Sequence, residues 1–158
     1  MTVRLATPDD VDAIHALIDE LAHYERSAHE FVATVDQLRA ALFADAPHVF
    51  CHLAEVDGEV VGLALWFLNY STWLGTSGIY LEDLYVKPSQ RGRGLGMALM
   101  RALATICLER GYTRFSWSVL DWNTPSIDFY RSIGAVAMDE WTTYRLEGGA
   151  LRDYADGG

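Results

Sequence analysis

Val86-Lys87-Pro88-Ser89-Gln90-Arg91-Gly92-Arg93-Gly94-Leu95-Gly96 decides how the rest of this 158-residue chain is read. It follows an apolar run, Ile79 to Val86. It precedes apolar residues at helical spacing (Leu95, Leu99, Ala102, Leu103, Ile106), so the spacing predicts a turn from a strand into a helix. Three glycines let the backbone take φ/ψ values closed to other residues and leave its N–H groups uncovered. At a helix N-terminus, with the positive end of the dipole behind them, such groups favour an anion. Lys87, Arg91 and Arg93 add full charges at the same end. Residues 87 to 114 hold six of the twelve Lys and Arg and one acid, Glu109, so they carry +5 while the remainder carries −15. The glycines fall at 92, 94 and 96, not in G-x-G-x-x-G order, and no Gly-Lys-Ser/Thr follows. That excludes the dinucleotide fingerprint and the P-loop.

Outward from this turn, the pattern predicts one α/β domain over residues 1–147, with 148–158 as a polar, glycine-rich flexible tail. Val3 and Leu5 predict a first strand. Thr7-Pro8-Asp9-Asp10 reads as a helix start, and Val11, Ile14, Leu17, Ile18 and Leu21 continue the helix to about Tyr24. A second helix is predicted over 35–43. Strands at 49–55 and 60–68 flank the hairpin signal Asp57-Gly58. Residues 69–78 read as a loop, 113–120 as a strand, 124–133 as a short helix and 142–146 as the last strand. The order implies a mixed central sheet with helices on both faces.

The composition narrows the function. The chain is 51% apolar, long enough for a sizeable core, and has a net charge of −10. A strongly acidic chain is a poor nucleic-acid binder, because phosphate neutralisation needs an extended basic face. A compact basic patch suits one small polyanion, and the acidic remainder attracts cationic substrates. No run is long enough to span a bilayer and the N-terminus lacks a signal peptide's apolar core, so a cytoplasmic protein is expected. Cys51 and Cys107 read as buried free thiols. Strand alternation sends His48 and His52 to one face and Cys51 to the other, so no metal site is expected.

Arg91-Gly92-Arg93-Gly94-Leu95-Gly96 after an apolar strand resembles the acetyl-CoA pyrophosphate loop of the GNAT N-acetyltransferases, with its pattern Arg/Gln-x-x-Gly-x-Gly/Ala. Trp122-Asn123-Thr124-Pro125-Ser126-Ile127-Asp128-Phe129-Tyr130, followed by Gly134-Ala135, resembles that family's second signature. Leu81-Glu82-Asp83-Leu84-Tyr85-Val86, paired with Glu20-Leu21-Ala22-His23-Tyr24-Glu25, is most similar to the spermidine/spermine and thialysine acetyltransferase branch. The resemblance runs from about Val3 to Leu146. It implies a GNAT fold, acetyl-CoA as co-substrate, a small cationic amine as acceptor, no metal and a homodimer.

It also implies roles. Backbone amides from Arg91 to Met97, including Gly92, Arg93, Gly94, Leu95 and Gly96, would grip the pyrophosphate. Main-chain groups of Leu84, Tyr85 and Val86 would pair with the pantetheine arm as an added strand, and a bulge there would aim an amide at the thioester carbonyl. Tyr130 matches the tyrosine near the cofactor sulfur, and a neutral phenol can protonate a leaving thiolate. Read from its spacing alone, it is a packed aromatic. Glu82 matches the residue that accepts the amine's proton, and Asp83, Tyr24 and Glu25 match substrate contacts. Glu82 and Asp83 are unusual in an apolar strand, where alternation puts them on opposite faces. Trp73 is either a wall for a substrate methylene chain or surface packing, and Asn123 is either a cap or a cofactor contact near Ser126. Residues 139 to 143 depart from the acid that grips the far amine in diamine enzymes. Rival readings are a related acetyltransferase for an amino acid, an antibiotic-like amine or a protein N-terminus, or a non-catalytic acyl-CoA sensor.

Overall fold

The computed structural model describes residues 1–158. Five strands, β1 (Thr2–Leu5), β2 (Phe50–Val56), β3 (Glu59–Ser71), β4 (Thr76–Val86) and β5 (Phe115–Trp117), form one sheet in chain order. The first four are antiparallel neighbours and β5 joins β4 in parallel, so the sheet is mixed as expected. The helices are α1 (Val11–Tyr24), α2 (Val35–Leu42), α3 (Leu95–Glu109), α4 (Thr124–Ser132) and α5 (Gly148–Ala155). Met1–Leu120 and Asp121–Gly158 form two compact units.

In the first unit, side-chain alternation divides the sheet. Cys51, Leu53, Leu63, Leu65 and Tyr85 face Ile14, Leu17 and Leu21 of α1 and Leu42 of α2 in one buried cluster. His52, Ala54, Ala64 and Trp66 take the opposite face. There Arg110, which ends α3, holds its guanidinium 5.7 Å from the Trp66 ring centroid. Helices thus cover both faces. Arg4 of β1 donates to Asp10 (2.8 and 2.9 Å) and Glu55 (2.9 Å), and holds the Asp10 carboxyl well below the usual carboxylate range. This ties the start of α1 to the sheet.

Several expectations change. The loop expected over 69–78 shrinks, because β3 extends to Ser71 and β4 begins at Thr76, with pairing that runs to Ser71↔Thr76. Cross-strand partners turned these polar residues into strand where their own propensity was weak. β5 keeps only three of the eight residues expected, since its pairing with β4 stops at Leu81↔Trp117.

In the second unit, α4 starts at Asn123, whose side chain accepts from the Ser126 N–H at 3.4 Å, with Pro125 in the first turn. The strand expected at Thr142 to Leu146 is not formed. Its alternation describes a half-buried face, but a strand needs a partner edge for its ladder, and Tyr144 stands exposed. Gly148–Ala155, read from composition as loose chain, is helical, with Leu151 N–H closing its first turn on Glu147.

Candidate active site

The site begins at an irregularity in β4. Leu65 of β3 pairs with Asp83, but the next residue, Trp66, pairs with Leu81, which leaves Glu82 as an extra residue in β4. Such a bulge breaks alternation. Leu81 shares the α3 face with Trp66, whereas Asp83 shares the α1 face with Leu65. Glu82 lies between them and couples electrostatically to both Asp83 and Glu25 at the end of α1, so the bulge brings together two acids that strict alternation would send to opposite faces.

Glu25, the C-cap of α1, completes an acidic trio. Burial, then the charges of Glu82 and Glu25, push the Asp83 carboxyl up to about 7. Burial and Glu82 also raise Glu25. Three carboxylates at the negative end of a helix dipole repel one another and favour a cation among them. Glu82 itself is exposed to solvent.

The free edge of β4 starts at the same bulge. Past Leu81↔Trp117 no strand pairs on the β5 side. Ile79 N–H points to that side, to Arg114 O (3.0 Å), and Lys87 N–H points the other way, to Val61 O (2.9 Å). Counting through the bulge, Leu84 and Val86 turn their main-chain groups to the free edge and Tyr85 turns its own toward β3. Of the three residues expected to pair with an added chain, Leu84 and Val86 are therefore oriented for it and Tyr85 is not. Tyr85 instead packs its ring in the α1 cluster and donates its hydroxyl to Glu20 Oε2 at 3.0 Å. Burial and that bond push its phenol up to about 12.

The glycine loop follows directly. A turn of 3-10 helix, Pro88–Gln90, leads to Arg91, whose Nε donates to Val86 O at 3.0 Å. The Arg91 guanidinium lies 5.0 Å from the Tyr24 ring centroid and 5.6 Å from that of Tyr85, within cation–π range of both. Arg93 donates to Gln90 Oε1. Gly92 and Gly94 have φ of +75° and +79°, the left-handed region that glycine occupies without strain. Gly94 caps α3 without a side-chain bond, so the N–H groups of Leu95, Gly96 and Met97 have no intrahelical partner.

This loop fits a diphosphate. A Cβ built at Gly92, Gly94 or Gly96 meets no atom within 4 Å, so nothing in the protein requires Gly96 to lack a side chain; its bareness leaves the amides approachable. No three His, Cys, Asp or Glu side chains converge in metal-ligand geometry.

The first unit thus brings together Tyr24, Glu25, Glu82, Asp83, Leu84, Val86 and the loop from Arg91 to Met97. Trp73 is not among them. It sits 85% exposed in the β3–β4 turn, and at ~3.3 Å per residue the six residues from Thr76 to Glu82 put that turn about 20 Å from the acids. Asn123, Ser126 and Tyr130 lie in the second unit. Asn123 is buried as the α4 cap, and the Tyr130 ring lies 5.5 Å from that of Phe129. Glu20, at the start of the stretch ending at Glu25, has no role assigned from sequence; its bond joins it to a residue 65 positions away, which no local spacing signals.

Residues 13–135 match the acetyltransferase (GNAT) family. Thialysine N-epsilon-acetyltransferase of Bos taurus is 38% identical over 164 residues, covering 97% of this chain and 96% of its own length. L-ornithine N5-acetyltransferase of Arabidopsis thaliana is 32% identical over 195 residues, covering 95% and 86%. Among solved structures, an integron cassette protein from the mobile metagenome of V. cholerae superposes with a TM-score of 0.81 at 27% identity, over 98% of this chain and 96% of that one.

Proposed function

Because the chain belongs to the GNAT acetyltransferase family and is an acetyl-CoA-dependent N-acetyltransferase, we propose that its acceptor is the primary amine of a small diamine, polyamine or lysine analogue, acetylated by direct attack in a ternary complex. The observation that carries this reading is the acidic trio Glu25, Glu82 and Asp83 at the β4 bulge, next to the strand's free edge. A cation entering that trio relieves the repulsion that adds to burial in raising Asp83 and Glu25. Similarity to enzymes named for thialysine and L-ornithine supports the same class of acceptor.

In this proposal the amides of residues 91–97 hold the pyrophosphate, and Leu84 and Val86 hold the pantetheine arm through their main chain. When bound, acetyl-CoA supplies an acyl carbon activated as a thioester. Asp83, Glu25 and the Tyr24 ring hold the acceptor. An alkyl ammonium with a pKa near 10 is almost wholly protonated at neutral pH, so Glu82 takes a proton from the amine nitrogen, directly or through water, before attack. Tyr130 Oη gives its proton to the departing sulfur; this role rests on its match to the family's second signature. The catalytic domain is assigned to residues 1–147.

The test is a panel of amines, including thialysine, L-ornithine, putrescine, spermidine and a neutral-chain monoamine, assayed with acetyl-CoA for free thiol release. Acceptors carrying two amines should turn over with the highest kcat/KM. Equal rates for the monoamine, or preference for a protein N-terminal peptide, would reject the proposed acceptor class.

A further inference from the structure

The hydroxyls of Tyr80 and Ser118 meet at 2.9 Å. They join β4 to the residue that follows β5, immediately beside the last paired residues of the two strands, Leu81↔Trp117. Beyond this point β4 continues to Val86 without a partner on this side. The hydroxyl pair is therefore a clasp across the closed end of the gap where the strands part. The Tyr80 ring is also held from β3, where Phe67 is its cross-strand partner and the ring centroids are 5.1 Å apart. Tyr80 lies opposite Phe67 as Asp83 lies opposite Leu65, so both occupy the α1 side on which the acidic trio gathers. The sheet does not need this clasp, since its ladder is made by backbone groups and a solvent-accessible hydroxyl pair adds little to stability.

We infer that the Tyr80–Ser118 clasp is the stop that sets the length of acyl group the enzyme accepts, and so selects an acetyl donor over longer acyl donors. The inference rests on the donor position proposed above. A donor with its diphosphate at residues 91–97 and its arm along Val86 and Leu84 runs down β4 toward Leu81. Its acyl end then arrives where the strands close. Leu84 and Leu81 stand opposite Ala64 and Trp66, two residues apart on β3, so about 7 Å of strand separates them at ~3.3 Å per residue, and each methylene added to the acyl group moves its end toward the Tyr80 ring. Phe67 keeps that ring from turning away toward β3, and Ser118 keeps its hydroxyl from swinging across the gap. A longer chain must break the clasp, and a two-carbon group need not.

The experiment measures dissociation constants of acetyl-CoA and butyryl-CoA by calorimetry on the full chain, for the wild type and for Tyr80→Phe, Ser118→Ala and Tyr80→Leu. The wild type should bind acetyl-CoA more tightly. Tyr80→Phe and Ser118→Ala should each narrow the ratio by about three- to tenfold, the size of one net hydrogen bond, with the change in the butyryl-CoA constant. Tyr80→Leu, which also removes the ring, should narrow it further. Ser118→Ala, at an exposed position after the strand, gives the answer even if a Tyr80 variant folds poorly. A wild type indifferent to acyl length, a ratio that no variant moves, or a ratio that moves only because acetyl-CoA binding weakens would each overturn the inference. If the wild type takes up acetyl-CoA and the ratio stays fixed, the clasp alone is refuted; if it takes up neither donor, the donor assignment fails with it.

Discussion

Replacing Asp83 with asparagine should stabilise the protein at alkaline pH while impairing it as an enzyme. The carboxyl titrates near 7 in the folded chain, against an ordinary value of 3.8, because burial and then the charges of Glu82 and Glu25 disfavour its ionised form. Between about pH 4 and pH 7 the folded state therefore holds a proton that the unfolded state has released. Stability falls as pH rises through this window and stays low above it. A shift of about three units corresponds to an upper limit of about 4 kcal/mol. Asp83 keeps some solvent exposure, which screens the charges and reduces the expected effect to about 1–2 kcal/mol. For a chain of this size that is about 2–8 °C in Tm. Melting curves for both proteins at pH 4, 5, 7 and 8.5, without amine, provide the assay. The variant's advantage should be largest at pH 8.5, less than half as large at pH 5 and absent near pH 4. An asparagine variant that is less stable at pH 8.5, or a difference independent of pH, would refute the raised Asp83 carboxyl, and with it the combined effect of burial and the two neighbouring charges.

The two loop glycines should respond to alanine in opposite directions. Gly94 has a φ of +79°, so Gly94→Ala should cost about 1–2 kcal/mol, whereas Gly96 is helical with open space around it and Gly96→Ala should gain about 0.5–1 kcal/mol; denaturant melts compare them. Glu82→Gln should lower kcat/KM at pH 7 by about 10² and make the residual rate follow the acceptor's own deprotonation, which a pH profile of kcat/KM reads out. Tyr130→Phe should lower kcat while the acetyl-CoA dissociation constant, measured by calorimetry, changes less than threefold; a variant with full turnover would remove Tyr130 from the mechanism.

The elements that residue pattern alone disclosed are those whose cause is local. α1 follows from its apolar stripe, with Thr7-Pro8 opening a 3-10 turn, Pro8–Asp10, that leads into it, α3 from its stripe and bounding glycines, and the β2–β3 hairpin from Asp57-Gly58. The loop from Arg91 to Gly96 was legible for the same reason, since bare amides, left-handed turns and added cations are properties of neighbouring residues. The family resemblance rested on that segment together with Trp122 to Tyr130 and the pairing of Leu81 to Val86 with Glu20 to Glu25. Pairing decided the rest. Whether Ser71 and Thr76 join a ladder, whether β5 keeps three residues or eight, and whether Thr142 to Leu146 forms a strand all depend on a partner edge that no stretch of chain specifies about itself. The acid pair shows the difference most clearly. Glu82 and Asp83 could be picked out as carboxylates in an apolar strand, but period-two alternation sends them apart. Only the register against Leu65 and Trp66 reveals the inserted residue beside Asp83, and burial, with the nearby charges of Glu82 and Glu25 added to it, lifts the Asp83 carboxyl to neutral pH. The sequence determined that basic residues and bare glycines gather at one turn while the rest of the chain is acidic; the tertiary structure decided which carboxylates meet, because a bulge is a relation between two strands and electrostatic coupling depends on distance through space.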